Sequence, residues 1–270
     1  MIISISRRTD IPAFFSEWFY NRIEAGYFMV RNPMNIHQVS KVTVTPQNAE
    51  CLVFWTKNPS FSFIENLPKL DEKGFNYYFQ FTITSYAQDI EKSVSRKTEI
   101  IEKFQKLSNQ IGKEKVIWRY DPIFLNKKYN FDYHIKYFDY IAEKLSAYTE
   151  KVIISFVDCY SKIKTRLQEN EITDLSQEEM RKLGIALKQI AEKHNLKIES
   201  CSETIDFDDI GIPHGHCIDG ELINRICQRN FIFKKDKTQR KECGCVTSVD
   251  IGSYNTCRHN CAYCYATWNG

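Results

Sequence analysis

The sequence predicts an α/β fold of parallel βα units: a (β/α) barrel of the TIM type, complete or partial. Two observations carry this. Short β-branched and aromatic runs alternate with amphipathic helical stretches along the chain, which is the pattern of parallel βαβ construction. The predicted strands also end in clusters of polar residues, where such barrels keep their chemistry.

The elements follow in order. Residues 2–6 are an apolar run ending in Arg7-Arg8-Thr9-Asp10, and residues 13–25 read as its helix. Residues 39–45 alternate apolar and polar, as an extra or edge strand would. Strand 52–56 leads into Thr56-Lys57-Asn58-Pro59 and helix 61–72, and strand 77–84 precedes helix 97–110. Strand 116–120 ends in Arg119-Tyr120-Asp121-Pro122 before helix 131–147; strand 152–157 runs up to Asp158. Helix 176–194 is the best signalled. Ser176 and Glu179 have capping-box spacing, and Leu183, Leu187, Ile190 and Ala191 form one apolar face. Strand 197–201, helix 219–229 and strand 246–251 complete the series. Residues 1–200 read as the barrel body, and residues 201–270 as a cysteine-rich cluster-binding segment that completes it.

Composition narrows the class. The 270 residues are 43% apolar and 14% aromatic, enough for a sizeable core. A net charge of +3 neither argues for a nucleic-acid partner nor excludes one. No run approaches the roughly 18 to 20 apolar residues that span a bilayer. The opening Met-Ile-Ile-Ser-Ile-Ser-Arg-Arg has its charges after the apolar stretch, unlike a signal peptide. The chain is read as cytoplasmic, where thiols stay reduced. Its ten cysteines then point to metal or redox chemistry rather than disulfides.

Cys257, Cys261 and Cys264 form the strongest motif, with three and then two residues between them. Three thiolates so spaced can wrap one iron–sulfur cubane and leave its fourth iron open. Soft sulfur ligands select iron–sulfur clusters, zinc or copper(I). Structural zinc wants four closed ligands, so a zinc site here would need Cys243 and Cys245, or His259, as well. Cys201, Cys217, Cys243 and Cys245 make a second set, which matches a fully ligated 4Fe–4S cluster or equally a zinc site. Cys51, Cys159 and Cys227 remain, and buried free cysteine usually serves as a small hydrophobe. His214 and His216 read as polar turn residues, or else as proton donors or cluster neighbours, and the basic run Lys234 to Lys241 as a solvated loop or a contact to a phosphate-bearing substrate.

Cys257-x3-Cys261-x2-Cys264, with an aromatic residue before the last cysteine, resembles the cluster loop of radical S-adenosylmethionine (SAM) proteins. The stretch from Cys243-Gly-Cys245 through Asp250, Gly252 and Tyr254 to Cys264 resembles the bacterial family called domain of unknown function 1848. Ser-Arg-Arg-Thr-Asp-Ile-Pro at the N-terminus and Trp55-Thr-Lys-Asn-Pro59 match that family too. A weaker likeness to the spore photoproduct lyase group rests on Thr56-Lys57, Thr82-Ile-Thr84 and Trp118-Arg119-Tyr-Asp-Pro122.

These resemblances imply two 4Fe–4S clusters, SAM binding, and an electron donor such as a ferredoxin or flavodoxin. SAM would chelate the open iron, and a reduced cluster would cleave it to methionine and a 5′-deoxyadenosyl radical. Lys57, with Thr82 or Thr84, matches positions that hold SAM in the lyase group. Arg119 could pair with the SAM carboxylate, or simply with Asp121. Tyr263 could pack over adenine or shield the cluster, and Lys57, Asp10 and Glu203 could equally form a salt-bridge network. The usual cluster loop follows the first barrel strand, whereas this one follows the last, so the resemblance implies a circular permutation. The usual Gly-Gly-Glu is absent, leaving Thr9 or Asp10 to substitute. A helix expected after the loop has only six residues beyond Cys264 to form in. Two other readings stay open: a two-cluster electron carrier without SAM, and a zinc-stabilised binding protein. The substrate is not specified by the sequence.

Overall fold

A computed structural model describes residues 1–268. Its strands are β1 (Ile2–Ile5), β2 (Tyr27–Asn32), β3 (Asn35–Thr43), β4 (Cys51–Thr56), β5 (Tyr77–Thr82), β6 (Val116–Ile123), β7 (Lys151–Phe156), β8 (Lys197–Ser200) and β9 (Val249–Asp250). Seven of them form one sheet in the order β8-β7-β6-β5-β4-β1-β9, every pair parallel. β8 and β9 are its ends, and no ladder joins them among the described residues.

Period-two alternation gives the sheet two different faces. Ile3, Ile5, Leu52, Phe54, Phe79, Phe81, Trp118 and Ile154 join the larger core, packed against the helices. Ile2, Cys51, Val53, Tyr78, Ile117 and Ile153 point the other way, into a smaller core. That second core is closed by Cys217, Ile218, Leu222, Ile223, Cys243 and Cys245. The part of the cysteine-rich segment from Cys217 to Val246 therefore packs on the second face of the sheet, whereas Cys261, Ala262 and Tyr263 join the larger core. Its helix Gly220–Cys227 is capped by Asp219, whose carboxylate accepts from the Glu221 and Leu222 N–H groups.

The helix following Ser176, Gln177–Lys193, has the capping box its sequence predicts, and Leu183, Leu187 and Ala191 are buried. Other expectations need correction. The alternating run at 39–45 lies mostly in an extra strand, the first of its two readings, and is not an edge strand of the sheet: β3 pairs antiparallel with β2 as a separate ribbon. The helix expected at 61–72 is two, Phe61–Glu65 and Pro68–Lys73, because proline opens the second. A short helix, Lys164–Glu169, was not predicted. The last strand shrinks to Val249–Asp250, while Val246 bridges Lys235 instead. The helix of the resembled families, expected here to be missing or truncated after the cluster loop, does not form over residues 265–268, and residues 269–270 lie outside the described residues. Among the described residues no helix is long and apolar enough to cross a membrane.

Candidate functional site

The carboxyl ends of the parallel strands open onto a cavity of about 350 Å³. Ser6, Trp55, Thr56, Thr82, Arg119, Ser155 and Cys201 reach it from successive strand ends. All seven cysteines of the two predicted sets line it, and all are free thiols.

The four-cysteine set is brought together from three segments. Cys201 follows β8, and its Sγ is 3.1 Å from that of Cys217. Cys245 accepts from the Ile218 N–H at 3.3 Å. A hydrogen bond from Cys245 lowers the Cys243 pKa to about 6. Arg119, 4% exposed, donates to Cys217 Sγ at 2.6 Å. Its Nε and Nη2 both hold Asp121, and its guanidinium lies 5.2 Å from the Trp55 ring centroid. Arg119 thus pairs with Asp121, as one of its two readings allowed, and faces the four-cysteine set. Tyr78 and Gln80, from the middle of β5, both donate to the Cys217 carbonyl at 2.8 Å. Those bonds seat the segment on the sheet.

The loop bearing Cys257, Cys261 and Cys264 is anchored from several sides. Ala262 N–H donates to the Ile90 carbonyl, and Ser93 N–H to that of His259. Arg166 spans the Ala262 and Cys264 carbonyls. Burial pushes the Cys257 pKa up to about 12.

Two carboxylates organise the surroundings. Asp10 is 5% exposed and accepts from Ala13 N–H, Thr56 Oγ1, Lys57 N–H and His259 Nε2, at 2.7 to 3.0 Å. It is therefore the cap of helix Ile11–Phe14 and the tie between β4 and the cysteine loop. Glu91, 1% exposed, is the second. Lys57 Nζ stands 2.7 Å from it, Thr84 Oγ1 donates to it at 2.6 Å, and Lys97 and Tyr263 also bind it. Burial alone would raise the Glu91 pKa, but Lys57 and Lys97 overcome that and hold it well below the usual carboxylate range.

Lys57, Thr82, Arg119, Asp10 and Tyr263 all line the cavity with the cysteines. Thr84 does not; its hydroxyl is spent on Glu91. Lys57 also stands 5.6 Å from the Tyr263 ring centroid. Glu203 accepts from the Phe156 N–H, and burial raises its pKa to about 7. Cys51 and Cys227 lie away from the cavity; Cys227 donates to the Glu50 carbonyl. Sequence reasoning missed Glu91, because its partners come from distant segments and no local spacing marks it. It also gave Asp250 no role, although that carboxylate gathers Ser4, Ser6, Arg7 N–H and Gly252 N–H at the start of the loop.

As a donor set this is soft and thiol-rich, and it suits iron–sulfur clusters. Among the described residues, no three or more His, Cys, Asp or Glu side chains are placed to hold a single metal ion. A cubane spreads its cysteines over separate irons, a looser demand on the apo side chains than one shared ion makes.

The fold and the site define a parallel α/β protein with a thiol-lined cavity at the carboxyl edge of its sheet. The chain belongs to the family described as Domain of unknown function (DUF1848), whose profile matches residues 2–266. No curated protein matches it. Among solved structures, that of D-psicose 3-epimerase with D-tagatose from Clostridium cellulolyticum H10 is similar with a TM-score of 0.43 and 11% identity. The match covers 100% of this chain and 92% of that one.

Proposed function

We propose that the chain is an iron–sulfur protein of the radical SAM kind. The observation that carries this reading is the convergence of two cysteine sets, distant in sequence, on one cavity. Cys257, Cys261 and Cys264 would hold a 4Fe–4S cluster with an open iron. Cys201, Cys217, Cys243 and Cys245 would hold a second, for electron relay or structure. Each sulfur takes its own iron in such a cluster, so the Cys201–Cys217 contact opens on loading. When SAM is bound, a reduced cluster with an open iron supplies reductive cleavage of the sulfonium to methionine and a 5′-deoxyadenosyl radical. The protein's share is to hold and orient. Lys57 stands beside the three-cysteine loop and its Tyr263, Asp10 fixes that loop through His259, and Thr82 offers a hydroxyl to the cavity.

A permuted barrel, partial or complete, belongs to the same proposal. Its support is the parallel pairing of β9 with β1, Ile3 opposite Val249 and Ser4 opposite Asp250. On the permuted reading, the strand before the cysteine loop would take the place of a first strand beside β1. The reading also implies a reducing, cytoplasmic setting and a ferredoxin or flavodoxin as electron donor.

One observation favours a second reading, an electron carrier without SAM. Both Asp10 oxygens each accept two hydrogen bonds, which fills a carboxylate's capacity, and Lys57 is paired with Glu91. Metal and sulfide analysis of anaerobically purified protein decides first; about eight irons per chain are expected for two cubanes, and stoichiometric zinc would reject both readings. Dithionite and SAM are then added. Appearance of 5′-deoxyadenosine selects the enzyme, and its absence from fully loaded protein selects the carrier. Cys261→Ala should stop cleavage and remove about half the iron. Loss of all the iron would refute the division into three and four.

A further inference from the structure

We propose that Arg7, braced on Trp55, is an oxyanion subsite of the cavity, and that the substrate carries a carboxylate or phosphate which it holds. This rests on reading the cavity as the reaction site. Its other cations are engaged. Lys57 is paired with Glu91, Arg119 binds Asp121 and Cys217, and Arg240 binds Asp158 and Tyr160. The Arg7 guanidinium makes no hydrogen bond or ion pair among the described residues. Only its backbone is used: the N–H donates to Asp250, and the carbonyl accepts from Tyr265.

Position and geometry suit a ligand. Arg7 lines the cavity, half-buried, and its strongest electrostatic neighbours are Asp250, Cys245, Tyr265 and Cys217. The guanidinium thus shares the cavity with both thiol groups, electrostatically close to Cys245 and Cys217 of the four-cysteine set and to Tyr265, which follows Cys264. Asp250 acts on it only through space, since both its oxygens already accept from Ser4, Ser6, Arg7 N–H and Gly252 N–H. Trp55 stands 5.8 Å from the guanidinium. An aromatic face under a guanidinium holds it by cation–π attraction and leaves its in-plane donors free. Those donors match two oxygens of a carboxylate or phosphate. The contrast with Arg119 is direct. That guanidinium rests on the same indole, but its donors are consumed by protein groups.

Two sources of oxyanion are chemically alike, a substrate and the carboxylate of SAM. Calorimetric titration of the iron-loaded full chain with inorganic phosphate and with acetate, each with and without saturating SAM, separates them. Wild type should bind phosphate or acetate saturably, and should still do so with SAM present. Arg7→Met should weaken that binding by about tenfold or more, and Arg7→Lys, which keeps charge without the fork, by less. Circular dichroism of both variants checks their folding. No saturable anion binding, or equal binding by Arg7→Met, would overturn the subsite. Loss of anion binding on adding SAM would assign the fork to SAM and overturn the substrate claim. Iron content of the same samples tests the cluster reading separately, because it does not depend on the anion result.

Discussion

His134 is fully buried, with Nε2 2.9 Å from the Phe124 carbonyl and Nδ1 2.8 Å from Tyr120 Oη. A carbonyl only accepts, so Nε2 carries the proton and Nδ1 accepts from the tyrosine. Burial lowers the pKa of this ring from 6.5 to about 4. Between those values the unfolded chain binds the extra proton and the native one does not, so stability rises with pH across the window and is lost as pH falls through it. The loss attributable to His134 is roughly 3 kcal/mol between pH 6.5 and 4. Urea unfolding at pH 7 and at pH 4.5 should show it, and His134→Gln should flatten the difference. Gly252 makes a steric demand instead. A Cβ there would stand 2.0 Å from Ser6 Oγ and 2.5 Å from Ser6 Cβ, and Ser6 is 2% exposed and bonded to Asp250. Gly252→Ala should therefore cost roughly 1–3 kcal/mol, the range for overpacking, as a lowered urea midpoint with an unchanged slope.

At the scale of elements, Asp10 joins β4, the helix Ile11–Phe14 and the cysteine loop through one carboxylate. Asp10→Ala would leave three or four of those donors unpaired in a closed site, a loss of about 3 kcal/mol or more. Denaturant unfolding would measure it; a change under about 1 kcal/mol would mean that the loop is held elsewhere. The sequence carried much of this arrangement. Apolar runs marked the parallel strands, polar residues marked their carboxyl ends, and Ser176 with Glu179 marked a helix start that forms as read. What it hid depends on partners far along the chain. Glu91 has no local pattern; Lys57, Lys97 and Tyr263 define it only after folding. Of the ribbon, β3 was marked in part by the alternation at 39–45, and its partner β2 escaped because Tyr27–Asn32 follows helix Ser16–Ala25 with only Gly26 between them. The final strand was overestimated because Val246 spends its backbone on Ile218 and Lys235 rather than on the sheet.

Over the whole molecule, one face of the sheet is covered by a layer with little secondary structure of its own. Between helix Gly220–Cys227 and β9 the chain makes one isolated bridge, Lys235 to Val246, and few other backbone bonds. Its apolar support is the small core of Ile218, Leu222 and Ile223 against Ile2, Val53, Tyr78, Ile117 and Ile153. Cys217, Cys243 and Cys245 belong to that same core, so the metal centre proposed for these thiols would also fasten this layer to the sheet. A metal centre that binds the native state but not the unfolded one adds its binding free energy to folding. Anaerobic removal of metal with a chelator should then lower the melting temperature and loosen the layer before the sheet. Trypsin should report the order of events, because Lys234, Lys235, Lys237, Arg240 and Lys241 all fall in this stretch. Metal-free protein is expected to be cut there first, leaving a fragment that contains β1 to β8, while loaded protein resists. Identical cleavage rates in both forms would mean that the apolar contacts alone hold the layer, and that the thiols contribute nothing to its attachment.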